Sequence, residues 1–286
     1  MSRRRVMLAA VPELPEVETT RRSIAPALEG RRLTRVEVRR DRMARRHERP
    51  TDVSERLTGR TVGKVGRVGK FIVADVEDDL RWVIHLGMSG KMQLTVPETP
   101  ADPHTNFVAT TDSGVELRFV DPRTFGFVAA FTPDEWDRSP MKGLGRDALD
   151  DLPTGPELAA WLRGRVPPIK TMLLDQRFLA GIGNIYADEI LHRARIDPRR
   201  PAGSLTPPEV AALRRAVRPI LEDGLRHGGT SLADLRYLLP DGRAGTYVER
   251  LAAYGRTGEP CRRCGTPIEK VTITQRSSHF CPECQR

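Results

Sequence analysis

The chain has 286 residues, a length that suits two domains and a small appendage because single cores typically run to about 100–200 residues. Its 47 Lys and Arg against 38 Asp and Glu residues give a charge of +9, which favours a polyanionic partner, although solvated arginines in an Arg-rich chain explain the same balance. No apolar run approaches the ~20 residues of a membrane span, and residues 6–11 are too short a run for a signal peptide, so neither insertion nor export is expected.

The first half of the chain shows one helical segment and then strand alternation. Val17–Leu28 has helical spacing, and Pro26 is expected to kink or shorten the helix. Short segments in which apolar and polar residues alternate then predict a β-sandwich. These segments are Leu33–Glu37, Val62–Val76, Arg81–Leu86, Met92–Val96, Phe107–Thr111, Val115–Val120 and Phe127–Phe131.

Helical periodicity replaces strand alternation after a linker at Pro153–Pro156. The predicted helices are Glu157–Leu162, Ile169–Asp175, Asn184–Ala194, Pro208–Leu225 and Ser231–Leu238. Residues 241–258 are glycine-rich and polar, and the last segment carries cysteine pairs around two predicted strands. The predicted division is therefore a sandwich domain over 12–150, a helical domain over 151–240, a connecting segment over 241–258 and a cysteine ribbon over 259–286.

All four cysteines lie in two Cys-x-x-Cys pairs near the end of the chain: Cys261, Cys264, Cys281 and Cys284. Four thiolates in closely spaced pairs suit one tetrahedral structural Zn²⁺ ion rather than a disulfide framework, and a reducing cytosol fits this use. An iron centre and chance pairing are the alternatives. His279 lies near Cys281, but four cysteines already complete a coordination sphere.

Other motifs are ambiguous when each is taken alone. Met88 in HLGMSG and Phe125 in DPRTFG have the character of core residues, and Lys70 that of a surface charge. FLAGIGNIY places two helices around a glycine-bearing turn, which suits an ordinary helix-turn-helix joint or a phosphate site at the start of the second helix. Arg276 lies with Thr274 and Gln275 in a predicted hairpin turn, where it is either a solvated charge or a phosphate ligand.

These motifs together resemble the bacterial formamidopyrimidine-DNA glycosylase family. PELPEVETTRR at residues 12–22, HLGMSG, DPRTFG, GIGNIYADE and the four-cysteine ribbon occur in the family order and cover residues 12–286. The PELPE start and the segment from Gly228 to Cys261 are more similar to the formamidopyrimidine branch than to the endonuclease VIII-like branch, which usually begins with PEGPE. The resemblance implies an α+β fold with an N-terminal β-sandwich flanked by helices, a helix-two-turns-helix domain and a C-terminal zinc ribbon hairpin.

The resemblance also implies an activity and its catalytic residues. The expected enzyme is a bifunctional glycosylase and lyase that removes oxidised purines, such as 8-oxoguanine and formamidopyrimidines, from double-stranded DNA. In this family the free amine of an N-terminal proline is the nucleophile, which makes Pro12 the counterpart here, with Glu13 moving protons and Glu16 orienting the terminus. Lys70 is expected beside the damaged nucleotide, and Arg276 on phosphate, where it assists the second elimination.

The DNA-binding residues follow from the same resemblance. Met88, Arg123 and Phe125 are expected to fill the gap left when a nucleotide leaves the stack. His104 and Arg165 are expected to contact DNA, and Asn184 is expected to bind phosphate. A second histidine often stands two residues after the first in the family, and Asn106 replaces it here, which weakens the case for a phosphate contact at that position. Thr230–Tyr247 is expected to include the loop that closes over the base.

Residues 1–11 conflict with this mechanism, because the nitrogen of an internal proline is a tertiary amide and not a nucleophile. We expect the working protein to start at Pro12, with Val11 at the place of the initiator and residues 1–11 having little order. The alternatives are a non-catalytic damaged-DNA-binding relative with a blocked Pro12 and a pyrimidine-preferring, endonuclease VIII-like glycosylase. A monomer in the bacterial cytoplasm, associated with the nucleoid, is the expected form.

Overall fold

A computed structural model describes residues 11–232 and 237–286. The chain divides into two compact units. The described residues of Met1–Gly143 and His227–Thr246 form the first unit, and Leu144–Arg226 with Tyr247–Arg286 form the second. The domain boundaries given above stay a prediction. Residues 1–10 of the expected extension, and residues 233–236 of the predicted helix over 231–238, lie outside the described residues.

The first unit begins with helix α1, Leu14–Leu28, which starts earlier than predicted. Pro15 lies in its first turn, where the fixed φ of proline suits a helix and its missing N–H costs no hydrogen bond. The helix continues through Pro26 to Leu28, so Pro26 does not shorten it.

Eight strands and two short α-helices follow α1 among the described residues of the first unit. In chain order the elements after α1 are β1 (Leu33–Val38), α2 (Thr51–Leu57), β2 (Val62–Val68), β3 (Phe71–Val76), β4 (Leu80–His85), β5 (Lys91–Thr95), β6 (Thr105–Thr111), β7 (Glu116–Val120), β8 (Phe127–Phe131) and α3 (Pro133–Asp137). The predicted segment Val62–Val76 is two strands, because Gly69, with a φ of +56°, turns the chain between them. Sequence periodicity did not identify α2 and α3, which contain too few apolar residues to show a helical repeat.

The strands form two antiparallel sheets, with the orders β1-β6-β7-β5 and β2-β3-β4-β8. Apolar residues of both sheets enter one shared core. They alternate in most strands, as the two-residue period of a strand requires, but register shifts in β1 and β2 change the spacing there. Trp82 of one sheet and Phe107 of the other lie 5.9 Å apart between ring centres. Ile24 of α1 is buried in the same core. The predicted β-sandwich is therefore confirmed.

The second unit is mainly helical and ends in a hairpin. Its elements are β9 (Arg146–Asp147), α4 (Gly155–Leu162), α5 (Ile169–Leu174), β10 (Leu179–Ala180), α6 (Asn184–Ala194), α7 (Pro207–Arg226), β11 (Glu269–Ile273) and β12 (Arg276–Phe280). Thr154 caps α4 by accepting the N–H of Glu157 at 3.4 Å. The four predicted helices from 157 to 225 and the ribbon hairpin are confirmed. None of the helices in the described ranges is both long and apolar enough to span a bilayer.

Candidate functional site

The start of α1 carries Pro12 and two acids. Pro12 and Glu13 immediately precede the helix and are buried. Glu16 Oε2 accepts the backbone N–H of Glu13 at 2.9 Å, and Oε1 accepts the backbone N–H of Thr230 at 2.7 Å. The helix dipole also favours a carboxylate in the first turn. Glu16 therefore holds the backbone of the residue that follows Pro12.

The segment predicted to close over the base is held to the same helical turn. Tyr237 donates its hydroxyl to the backbone carbonyl of Glu16 at 3.2 Å. Ser231 Oγ accepts the N–H of Gly245 at 2.8 Å and donates to the carbonyl of Tyr237 at 2.8 Å. Burial raises the pKa of Tyr237, so its hydroxyl keeps the proton that it donates. Residues on both sides of 233–236 are thus held near the start of α1.

Lys70 lies in the turn between β2 and β3, next to Gly69. Arg67 Nη1 donates to the carbonyl of Gly69 at 2.9 Å and so supports this turn. Burial, together with the positive charges of Lys70 and Arg45, lowers the pKa of His85 to about 4. His85 is therefore neutral at pH 7 and does not add to the positive charge beside it.

The HLGMSG and DPRTFG loops lie against each other in the first unit. A Cβ atom at Gly87, which has a φ of +66°, would approach the backbone nitrogen of Gly126 to 2.4 Å, so this position requires glycine. The Asp121 carboxylate accepts the Ser89 hydroxyl at 2.5 Å and the N–H of Gly126 at 2.7 Å. Buried Asp121 therefore joins the two loops and fixes their geometry.

Two residues at the start of β6 and just before it support the DPRTFG loop, one through its backbone carbonyl and one through its side-chain amide. The carbonyl of His104 accepts the N–H of Asp121 at 3.0 Å, while the His104 side chain is exposed. Asn106 is buried, and its Nδ2 donates to the carbonyl of Asp121 at 2.7 Å. Asn106 therefore supports the loop. This is the role of its side chain at the position where the family often has a histidine.

The DPRTFG loop presents an aromatic ring and a guanidinium together. Phe125 is 36% exposed, and the Arg123 guanidinium carbon lies 4.4 Å from the centre of its ring. Arg45 donates to the carbonyl of Phe125 at 2.7 Å and so supports the backbone of the loop. Met88 of the facing loop is half-buried. The first unit thus carries an apolar ring, a stacked cation and a flexible thioether on two adjoining loops.

Asn184 is the first residue of α6, after a turn that Gln176 stabilises. The Gln176 amide donates to the carbonyl of Ile182 at 2.8 Å and accepts the N–H of Gly181 at 2.9 Å. Asn184 Nδ2 lies 3.5 Å from Ser277 Oγ, and Asn184 Oδ1 has no hydrogen-bond partner among the described residues. The fold therefore brings the start of α6 beside the strand on which Arg276 stands.

Arg276 opens β12 directly after a two-residue turn. Thr274 and Gln275 have φ values of +47° and +62°, the left-handed pair that such hairpin turns require but that a β-branched threonine disfavours. Thr274 Oγ1 lies within hydrogen-bond distance, 2.9 Å, of Thr171 Oγ1 on α5. The Arg276 side chain is exposed. The contact between Thr274 and Thr171 thus stabilises the turn beside this arginine. Arg165, which follows α4, is also exposed.

A buried ionic cluster links the helices of the second unit to the hairpin. Lys170 Nζ donates to Asp188 Oδ1 at 2.6 Å and to the carbonyl of Ser277 at 2.7 Å. Asp188 Oδ2 accepts the N–H of His279 at 2.8 Å. His279 is thus bound to an aspartate and does not belong to the metal ligand set. Sequence reasoning missed Lys170 and Asp188, because no local spacing reveals a pair that the fold brings together.

The four cysteines gather at the base of the ribbon. Their sulfur atoms all lie within 4.8 Å of one another, and all four are free thiols. Ligands of a tetrahedral Zn²⁺ ion at about 2.3 Å lie nearly 4 Å apart, so the cluster fits zinc. Cys261, Cys264, Cys281 and Cys284 therefore supply the complete ligand set for one structural zinc ion.

Three family models match the chain, one after another. They are described as the formamidopyrimidine-DNA glycosylase N-terminal domain over residues 11–128, the formamidopyrimidine-DNA glycosylase H2TH domain over 144–235, and the zinc finger found in FPG and IleRS over 258–286. Together they match far more than half of the chain.

Similar proteins span the same length. A formamidopyrimidine-DNA glycosylase of Pelotomaculum thermopropionicum is 41% identical over 277 residues, which are 96% of this chain and 99% of that protein. An FPG mutant of Lactococcus lactis, solved with DNA containing Fapy-dG, superposes with a TM-score of 0.88 at 32% identity, covering 96% of this chain and 100% of that one. The wild-type Lactococcus lactis protein with DNA containing an oxidised pyrimidine gives a TM-score of 0.87 at 32% identity and the same coverage.

Proposed function

We propose that this chain, which belongs to the formamidopyrimidine-DNA glycosylase family, is a base-excision repair glycosylase and lyase that removes oxidised purines from double-stranded DNA. The observation that carries the proposal is the start of α1. There Pro12 is followed by buried Glu13, whose backbone Glu16 holds in place. When Pro12 is the first residue, its nitrogen is a secondary amine followed by a residue with a carboxyl group, which suits nucleophilic attack with proton transfer.

The reaction proceeds through a covalent bond to Pro12. The proline nitrogen attacks the sugar C1′, the bond from C1′ to the oxidised base breaks, and the base departs. Glu13 protonates O4′ as the sugar opens, which leaves an iminium between Pro12 and C1′. The iminium accepts the electrons released when C2′ loses a proton, so the C3′–O bond breaks. Loss of the C4′ proton then expels the C5′ oxygen, and the strand is cut on both sides of the sugar.

This chemistry requires Pro12 to carry a free amine. A proline nitrogen acylated by Val11 has no available lone pair. A terminal amine titrates near ~8, so an adequate fraction is unprotonated at neutral pH. We therefore propose that the active form starts at Pro12.

The other candidate residues serve DNA binding. Phe125, Met88 and Arg123 would occupy the space of the extruded nucleotide, and Lys70 would lie beside the lesion. The phosphate ligands would be the exposed His104, Arg165 and Arg276 and the half-buried Asn184. Support comes from the adjoining positions of the first three on two loops and from the contact between Asn184 and the strand of Arg276. A monomer in the bacterial cytoplasm, associated with the nucleoid, suits this work.

Borohydride trapping on a duplex with 8-oxoguanine opposite cytosine tests the nucleophile. The forms to compare are the chain as written, a form that starts at Pro12, and a form with one alanine before Pro12. We expect a covalent DNA adduct with the Pro12 form and none with the alanine form, which differs by one residue but has an acylated nitrogen. Adducts with both would indicate another amine, and no adduct with any form would refute the mechanism. Intact-mass measurement of the native protein then shows which form exists.

A second candidate substrate is an oxidised pyrimidine, because a similar protein was solved with such DNA. Parallel single-turnover assays on duplexes with an oxidised purine and an oxidised pyrimidine decide between them. Faster release of the purine supports the proposal, and faster release of the pyrimidine overturns its substrate preference. Binding of the Pro12 form without any cleavage would instead indicate a non-catalytic relative.

A further inference from the structure

A histidine that the sequence did not connect with the cysteines lies against them. His192, in the last turn of α6, is 5% exposed, and its Nε2 lies 3.4 Å from the sulfur of Cys261. The two residues are 69 positions apart. His279, which is close to Cys281 in sequence, is instead bound to Asp188. The fold therefore selects a different histidine for contact with the cluster.

His192 is outside the ligand set, because four sulfur atoms already satisfy a tetrahedral ion. A sulfur that binds zinc is a thiolate and carries no proton. In the contact between His192 and Cys261 the proton must therefore lie on Nε2, which donates to the sulfur. Such outer hydrogen bonds orient ligands and offset the charge of thiolates that are shielded from water.

A second contact joins the same two pieces of chain. Arg263, two residues after Cys261, donates from Nη1 to the backbone carbonyl of His192 at 3.4 Å, and its own N–H lies 3.5 Å from the Cys261 sulfur. The end of α6 and the first cysteine loop are thus joined by two contacts. The side chain of His192 reaches Cys261, and the side chain of Arg263 reaches the backbone of His192. Burial of Cys261, at 3% exposure, keeps water from replacing the histidine as donor.

We propose that His192 is a positioning residue of the zinc site, which donates its Nε2 proton to the Cys261 thiolate and so couples metal binding to the end of α6. This assignment goes beyond the proposed repair function and does not depend on it. Because α6 begins at Asn184, one rigid helix connects the metal site with the predicted phosphate ligand.

Zinc competition against a chromophoric chelator tests the assignment on the full chain. His192→Phe keeps a ring of similar size but removes the donor, and we expect zinc affinity to fall by about 10- to 100-fold. His192→Gln keeps an N–H donor and should recover part of the loss. Arg193→Ala, at the exposed next position, is the matched control and should leave affinity unchanged.

Cobalt substitution separates the hydrogen bond from simple packing. The charge-transfer absorption of a cobalt-thiolate centre depends on the electron density of its sulfurs, so His192→Phe should shift this band while the tetrahedral ligand-field bands persist. Unchanged zinc affinity, or an affinity loss without a band shift and without recovery in His192→Gln, overturns the proposal. If His192→Phe fails to fold, His192→Met, which also lacks an N–H donor, takes its place beside Arg193→Ala: a band shift with lower zinc affinity in His192→Met supports the assignment, and spectra and affinities identical to those of Arg193→Ala refute it.

Discussion

Lys170 and Asp188 form an ion pair of 2.6 Å, and both side chains are completely shielded from solvent. The pair connects α5 to α6, and the same lysine reaches the carbonyl of Ser277 in β12. It therefore lies where the two helices and the hairpin of the second unit meet. Breaking it should affect the fold of this unit before it affects any chemistry.

We expect Lys170→Ala to lower the free energy of unfolding of the second unit by about 3–5 kcal/mol, because it leaves a buried carboxylate without its counter-ion. Arg177→Ala is the control, since it breaks an exposed pair with Asp175 and should cost much less stability. Urea denaturation with hydrogen exchange measured in each unit provides the test. Equal losses of unfolding free energy in the two variants would contradict a stabilising role of the buried pair.

Asp121→Ala should destabilise the first unit by about 2–3 kcal/mol. The variant leaves the Ser89 hydroxyl and the N–H of Gly126 without their acceptor in a buried place. Asp112→Ala, at an exposed position, is the control and should change stability little. Denaturant unfolding measures stability, and limited proteolysis shows whether cleavage increases within residues 121–126. Resistance equal to that of the control would argue against Asp121 as the support of this loop.

His85 should make the first unit less stable as pH falls. Burial, and then the charge of Lys70, lowers its pKa to about 4 from the ordinary 6.5. The unfolded chain therefore binds this proton more tightly than the folded chain, so the contribution is complete above pH 6.5 and is lost as pH falls toward 4. His85→Gln lacks this titration. The stability difference between the native protein and the variant should decrease from pH 6.5 to 4 in urea titrations.

Arg276→Ala should weaken DNA binding and reduce the slope of log affinity against log salt by about 1, as expected for one lost phosphate contact. The exposed Arg286→Ala lies in the same ribbon, pairs with Glu283 and serves as the control. Fluorescence anisotropy over a series of salt concentrations measures both slopes. A lower affinity with an unchanged slope would indicate that Arg276 acts by supporting the hairpin and not by binding phosphate.

Local patterns predicted the elements that obey a simple period. Strand alternation identified both sheets, helical spacing identified α4 to α7, and the cysteine spacing identified the metal ligands. Periodicity did not show that the segment Val62–Val76 contains two strands. The alternation continues across the turn at Gly69, where only the direction of the backbone changes. The helices α2 and α3 were not identified because they contain few apolar residues: Val53 and Leu57 in α2, and Trp136 in α3. The equally short α5 has Ile169, Met172 and Leu173 at helical spacing.

The sequence by itself determined the family motifs, the zinc ligands and the conflict between an internal Pro12 and an amine nucleophile, since each depends on the identity and spacing of nearby residues. The tertiary structure alone decided the partners of Glu16, Asn106 and His192. Thr230 is 214 positions from Glu16, and Cys261 is 69 from His192. Hydrogen bonds act over about 3 Å in space and have no signature in sequence separation, so only the folded chain could assign them.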